Sequence, residues 1–103
     1  MDGSDTRLQV SQCDGRVVLS GEIDASTCVI LDEWLDQYDN AGPLVLDMSE
    51  VSFIDSSGLR VLVAQHQKST ERGNGFEVVD ASRAALRLFE ITGLAEVLGV
   101  RST

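Results

Sequence analysis

The chain has 103 residues, 43% of them hydrophobic, with one proline and a formal net charge of −9. That length suits one domain able to bury roughly two-thirds of its unfolded surface in a single core, and no segment approaches the ~20 apolar residues of a membrane-spanning helix. The opening Met1-Asp2-Gly3-Ser4-Asp5 is acidic and polar, the opposite of a signal peptide, so a soluble, cytoplasmic single domain over residues 1–103 is expected, frayed at about residues 1–5 and 101–103.

The charge is unevenly placed. Between Val17 and Leu59 there is no Lys or Arg, while Glu22, Asp24, Asp32, Glu33, Asp36, Asp39, Asp47, Glu50 and Asp55 supply nine acids; elsewhere eight acids balance eight bases. Gathered on one face, that excess would repel nucleic acid and anionic lipid and attract a basic protein surface. Spread out, it is the solvated side of an acidic helix. Cys13 and Cys28 have neither CxxC spacing nor a nearby histidine, so metal ligation is not expected. A turn-proximal thiol and a core thiol are the plain reading, with a disulfide between them left open.

Taken in order, the alternation at Leu8 and Val10 predicts a strand over about residues 6–12, and Val17-Val18-Leu19 a second over about 16–21. Asp14-Gly15 between them is a hairpin signal. A helix follows, with Cys28, Leu31, Leu35 and Tyr38 on one stripe and Trp34 beside it as a packing residue. Asp24 is placed to cap it, and Asn40-Ala41-Gly42-Pro43 to stop it. Leu44-Val45-Leu46 reads as a short strand covered on both faces. A loop over 47–55 is expected next, anchored by Val51, Phe53 and Ile54 turned inward.

Asp55-Ser56-Ser57-Gly58 then opens a helix over about 57–71, with Leu59, Leu62, Val63 and His66 at helical spacing. Its first N–H groups lack intrahelical partners and carry partial positive charge, so a hydroxyl caps well there and a phosphate is tolerated. Ser57 as cap and Ser56 as exposed acceptor is one division of labour; Ser56 as an ordinary cap is the other. Gly73-Asn74-Gly75 is turn punctuation, not a dinucleotide fingerprint. Phe76 to Val79 predicts a strand, Ser82 caps a third helix, and Gly93 ends it. Residues 94–100 are either a helical turn or a last short strand. The resulting order, ββαβαβα, predicts an α/β domain with a mixed sheet and helices packed against it.

Catalytic chemistry is hard to find. The one histidine, His66, stands ten residues along the helix from Ser56, about 15 Å and out of hydrogen-bond reach. There is neither a nucleophile elbow nor a phosphate-binding loop. Asp24, Asp47 and Asp55 are candidates for a carboxylate site for a divalent cation, though no phosphate cradle accompanies them.

Phe53-Ile54-Asp55-Ser56-Ser57-Gly58-Leu59 with Gly21-Glu22-Ile23-Asp24 upstream, and Leu88-Phe89 and Thr92-Gly93-Leu94 later, resembles the STAS domain of stand-alone bacterial anti-sigma factor antagonists over nearly the whole chain. The resemblance implies a non-enzymatic switch without cofactor. The unphosphorylated form would hold an anti-sigma factor that is also a serine kinase, freeing sigma; phosphorylation at Ser56 would end that binding, and a metal-dependent serine phosphatase would reset it. The partner-binding surface would comprise Asp24, Asp55, Ser56, Ser57, Gly58 and Arg60, the last standing where family members commonly carry a small residue. The alternatives are a STAS interaction module of another assembly, stressosome-like or transporter-associated, without phosphorylation control, and an enzyme or nucleotide-hydrolysing domain.

Overall fold

The computed structural model describes residues 3–4, 7–38 and 43–101. Its elements are β1 (Gly3–Ser4), β2 (Leu8–Cys13), β3 (Arg16–Ile23), α1 (Cys28–Gln37), β4 (Leu44–Ile54), α2 (Ser56–Glu71), β5 (Phe76–Val79), α3 (Arg83–Thr92) and β6 (Val100–Arg101). The strands form one mixed sheet in chain order, antiparallel from β1 to β3 and parallel from β3 to β6. The expected α/β architecture is therefore present; the short last strand left open at the end of the chain forms as β6, and the edge strand β1 is added.

The hairpin follows from its turn. Asp14 and Gly15 have φ of 51° and 80°, the left-handed pair that a two-residue loop needs to match the twist of its flanking strands, and Asp-Gly adopts it at low cost. Cys13 and Arg16 close the ladder across it. Leu8, Val10, Val17 and Leu19 alternate inward and are fully or almost fully buried.

The largest departure from expectation is β4. Residues 47–55 are not a loop: β4 continues to Ile54, paired in parallel with β3 as far as Ile23. The ladder shifts register between Val18 and Ser20 and again between Gly21 and Glu22. The buried residues after Leu46 therefore fall at Met48, Val51 and Ile54, a spacing of three that hides the strand from a search for period two. Val51 and Ile54 do turn inward, but Phe53 remains 48% exposed. Ser52 Oγ donates to the Gly21 carbonyl at 3.2 Å.

α1 buries Leu31 and Leu35, with Trp34 stacked on Tyr38 at 5.2 Å between ring centroids; its expected stop at Asn40 to Gly42 lies outside the described residues. α2 buries Leu59 and Leu62 and carries the buried Gln65. The Gln65 amide donates to Asp32 at 3.0 Å and Asp36 at 2.9 Å, and Lys68 donates to Asp36 at 2.7 Å, which joins the two helices. His66 meets Phe76 edge-on at 5.3 Å. α3 starts and stops as its sequence directs: Ser82 Oγ accepts from Ala85 N–H at 3.2 Å, and Gly93, at φ 74°, reverses the chain. Leu94 N–H then returns to the Phe89 carbonyl at 2.9 Å. The following residues turn, bury Leu98, and pair Val100–Arg101 with β5 as the last strand.

Candidate functional site

Two turns leave the sheet side by side. Ile23 and Ile54 are partners in the parallel ladder between β3 and β4, and Asp55 N–H donates to the Ile23 carbonyl at 3.2 Å. Asp24 and Asp55 are thus the next residues of adjacent strands, at the same end of the sheet where ligands of parallel sheets commonly bind.

Asp55 caps α2. Its Oδ1 accepts from the N–H of Ser57 at 2.9 Å and of Gly58 at 3.3 Å, with extended backbone at φ −118° and ψ −170°. Neither serine is the cap, contrary to both alternatives read from sequence, because the carboxylate one residue earlier already occupies the two first-turn donors. Ser56 becomes the first helical residue, exposed to solvent, and its Oγ has no hydrogen-bond partner among the described residues. Ser57 is half-buried. Gly58 is buried, and a Cβ there would stand 2.7 Å from Ile23 Cγ2 and 2.8 Å from Ile54 Cγ1. Only glycine lets the helix start sit this close to the strand ends.

Asp24 does not cap α1. That position belongs to Thr27, which makes no side-chain cap bond. Asp24 instead fastens the turn before the helix: its Oδ1 accepts from Ser26 N–H at 2.9 Å and Thr27 N–H at 3.0 Å, and its Oδ2 from Arg7 at 2.7 Å. The Thr27 N–H bond, with those from Ser26 and the Arg7 charge, outweighs partial burial and holds the carboxyl below its ordinary pKa. Thr27 is fully buried; its hydroxyl accepts from Asp24 N–H at 2.9 Å and donates to the Glu22 carbonyl at 2.8 Å. Gly21, at φ 113°, permits the approach of Arg7, whose carbonyl a Cβ at Gly21 would strike. Sequence reasoning missed Arg7 and Thr27. The Asp-x-x-Thr spacing is the signal for Thr27, whereas Arg7 lies 17 residues away and has none.

The remaining candidates separate. Asp47 pairs across the ladder with Val18, in the first half of β4, about 26 Å from Asp55 along the strand. It accepts from Ser49 N–H at 3.0 Å, Ser49 Oγ at 2.8 Å and Arg16 at 3.3 Å. Burial pushes its pKa up, but these donors win and the net shift is downward. The expected carboxylate site of Asp24, Asp47 and Asp55 therefore does not assemble, and among the described residues no three His, Cys, Asp or Glu side chains gather as a metal site. Cys13 is exposed at the hairpin, Cys28 is half-buried at the start of α1, and both thiols are free. Arg60 is exposed one turn after Ser56. No helix among the described residues is long and apolar enough to cross a membrane.

Comparison with known proteins agrees with this geometry. The family model described as Mlab, STAS domain matches residues 6–100. An anti-sigma-B factor antagonist of Listeria monocytogenes is 35% identical over 88 residues, covering 84% of this chain and 77% of that protein. The anti-sigma-F factor antagonist RsfB of Mycobacterium tuberculosis is 35% identical over 100 residues, covering 93% and 81%. The crystal structure of an anti-sigma factor antagonist from Mycobacterium paratuberculosis superposes with a TM-score of 0.75 at 34% identity, covering 93% of this chain and 85% of that one. With its sheet order, its helix start at Ser56 and this family match over residues 6–100, the chain belongs to the STAS domain family.

Proposed function

We propose that this chain is an anti-sigma factor antagonist whose grip on an anti-sigma serine kinase is released by phosphorylation of Ser56. One observation carries the reading: Ser56 Oγ is exposed and unused, because Asp55 has taken over the capping of α2. The antagonist relatives at 35% identity support the partner class.

The kinase transfers the γ-phosphoryl of ATP to Ser56 Oγ; the hydroxyl proton passes to a base on the kinase and ADP leaves. The phosphate adds about −1.5 to −2 charge. At a helix start the macrodipole tolerates it, so the fold survives and the change falls on what can dock. Asp24 and Asp55 flank the position, and a bulky dianion beside them fills the space into which the partner packs and puts more negative charge there than the docked surface can match. A hundredfold switch needs only about 3 kcal/mol. A metal-dependent serine phosphatase restores the hydroxyl. The domain acts by binding, in the cytoplasm where sigma factors work.

The test is incubation with the cognate anti-sigma kinase and ATP, read by mass spectrometry and by titration calorimetry. One phosphate on Ser56, absent from Ser56→Ala, and at least tenfold weaker binding by Ser56→Asp are expected. Phosphate on another residue, or Ser56→Asp binding as tightly as wild type, refutes the proposal.

A further inference from the structure

Beside the Ser56 turn lies a groove of about 540 Å³ between the end of β4 and α3. Phe53, Ile54, Leu88 and Ile91 supply its apolar surface, and Arg83 and Arg87 stand along it. Two of these four are left uncovered: Ile91 is 71% exposed and Phe53 48%. Ala84, Leu88 and Ile91 recur at helical spacing, so one continuous stripe of α3 faces outward into the groove. α3 needs its buried Ala85 and Phe89 for the core. It does not need Ile91 there, and an isoleucine held in water has no structural use.

The arginines indicate what covers the groove. Arg7, Arg16 and Lys68 each pair with a carboxylate; among the described residues Arg60, Arg72, Arg83 and Arg87 are exposed and pair with none, and of these Arg83 and Arg87 stand together along the groove. They stand one helical turn apart, about 6 Å, on a chain of net charge −9. An acidic segment is therefore repelled by most of this molecule and accepted at the groove. The groove is open along its length, so a small ligand would leave much of its surface in water, where pockets for such ligands bury most of it. A protein segment with apolar residues between carboxylates matches both features. Phe53 and Ser56 are three residues apart, so their Cα atoms lie within about 11 Å, close enough for one partner to reach both.

We infer that this groove docks an acidic, apolar segment of the protein that binds at Ser56, giving the interface a second anchor; the inference rests on the antagonist function proposed above. The two anchors have opposite charge, carboxylates at Asp24 and Asp55 against arginines at the groove, and so fix the partner's orientation. Phosphorylation removes the first anchor and leaves the second, so the switched-off form retains weak affinity.

The experiment compares wild type, Arg83→Glu/Arg87→Glu, Ile91→Asp and Ser56→Asp for binding the cognate anti-sigma factor at two salt concentrations. A photo-crosslinking amino acid at position 91 identifies the segment that covers it. All substituted side chains are exposed, and circular dichroism verifies folding. The groove variants are expected to bind at least tenfold more weakly, to lower the residual affinity of Ser56→Asp further, and to lose part of the salt dependence; the crosslink falls in an acidic, apolar segment. If the groove variants bind within twofold of wild type, or the crosslink lands on a basic segment, a second copy of this chain or a co-purifying lipid, the groove assignment is wrong while the Ser56 reading stands. An anti-sigma factor that does not bind wild type at all overturns both.

Discussion

Gly58 lies so close to Ile23 that a Cβ at position 58 would stand 2.7 Å from Ile23 Cγ2 and 2.8 Å from Ile54 Cγ1. Both isoleucines are buried at the paired ends of β3 and β4, so neither moves aside without disturbing the core. Gly58→Ala is expected to cost about 1–3 kcal/mol as overpacking and to lift the first turn of α2 off the sheet. Urea denaturation measures the loss. A midpoint equal to wild type would show that the helix start has slack, and that Ser56 is not held in place by this contact.

Capping and modification fall on neighbouring residues, which predicts a contrast. Asp55→Ala removes the acceptor of two first-turn N–H groups and should cost about 1 kcal/mol, within the 0.5–2 range for such caps, while Asp55→Asn keeps an acceptor and most of the stability. Ser56→Ala, at an exposed residue whose hydroxyl bonds to nothing described, should stay within about 0.5 kcal/mol of wild type. Thermal melts of the three variants decide it. Equal destabilisation by Asp55→Ala and Ser56→Ala would mean the serine hydroxyl caps after all.

What was legible in the sequence was local. Asp14-Gly15, Ser82 and Gly93 each specify a turn or cap by their own backbone chemistry, and all three act as read. β4 looks short in the sequence because two register shifts move its buried residues off the period of two. Gly3–Ser4 and Val100–Arg101 are two-residue strands held by the neighbouring ladder, too short to carry a pattern. At the site, the helix start and Asp24 were visible from motif spacing. The cap was misassigned because paired serines mask the aspartate before them. The Arg7–Asp24 pair and the groove of Phe53 with Arg87 depend on contacts across 17 and 34 residues, which no window of sequence contains.

The acid side of the stability curve follows from three aspartates. Asp24, held by Thr27 N–H first, Asp36, held by Lys68 and Gln65, and Asp47, held by Ser49 and Arg16 against its burial, all have lowered pKa values. A lowered folded pKa means the native state binds fewer protons than the unfolded chain, so the stabilisation is complete above the ordinary aspartate value of about 3.9 and is lost as pH falls through the folded values. Lys68, raised by Asp36, adds the opposite limb: its contribution is lost as pH climbs past its raised value, above about 10.4. Stability should be flat from about pH 5 to 9 and fall on both sides. Asp47→Asn, at a side chain only 15% exposed, should flatten the acid limb; an unchanged limb would place the acid sensitivity elsewhere.

Arg60 bears on how completely phosphorylation switches the surface. It is exposed four residues after Ser56, the spacing at which helical side chains meet, and among the described residues it pairs with no carboxylate. A phosphate on Ser56 Oγ therefore has a guanidinium within reach, able to bind it bidentately. That pair would offset part of the added charge and soften the repulsion from Asp24 and Asp55. Arg60→Ala should widen the affinity ratio between unphosphorylated and phosphorylated forms by about two- to fivefold, an exposed ion pair being worth up to about 1 kcal/mol. It should also lower the stability gained or retained by the phosphorylated form, while the unphosphorylated fold is unaffected. The measurement is calorimetric titration of both forms against the anti-sigma partner at low and high salt, with phosphorylation rates in parallel. If both the rate and the ratio are indifferent to the substitution, the arginine does not touch the phosphate, and the dianion stands unshielded at the head of α2.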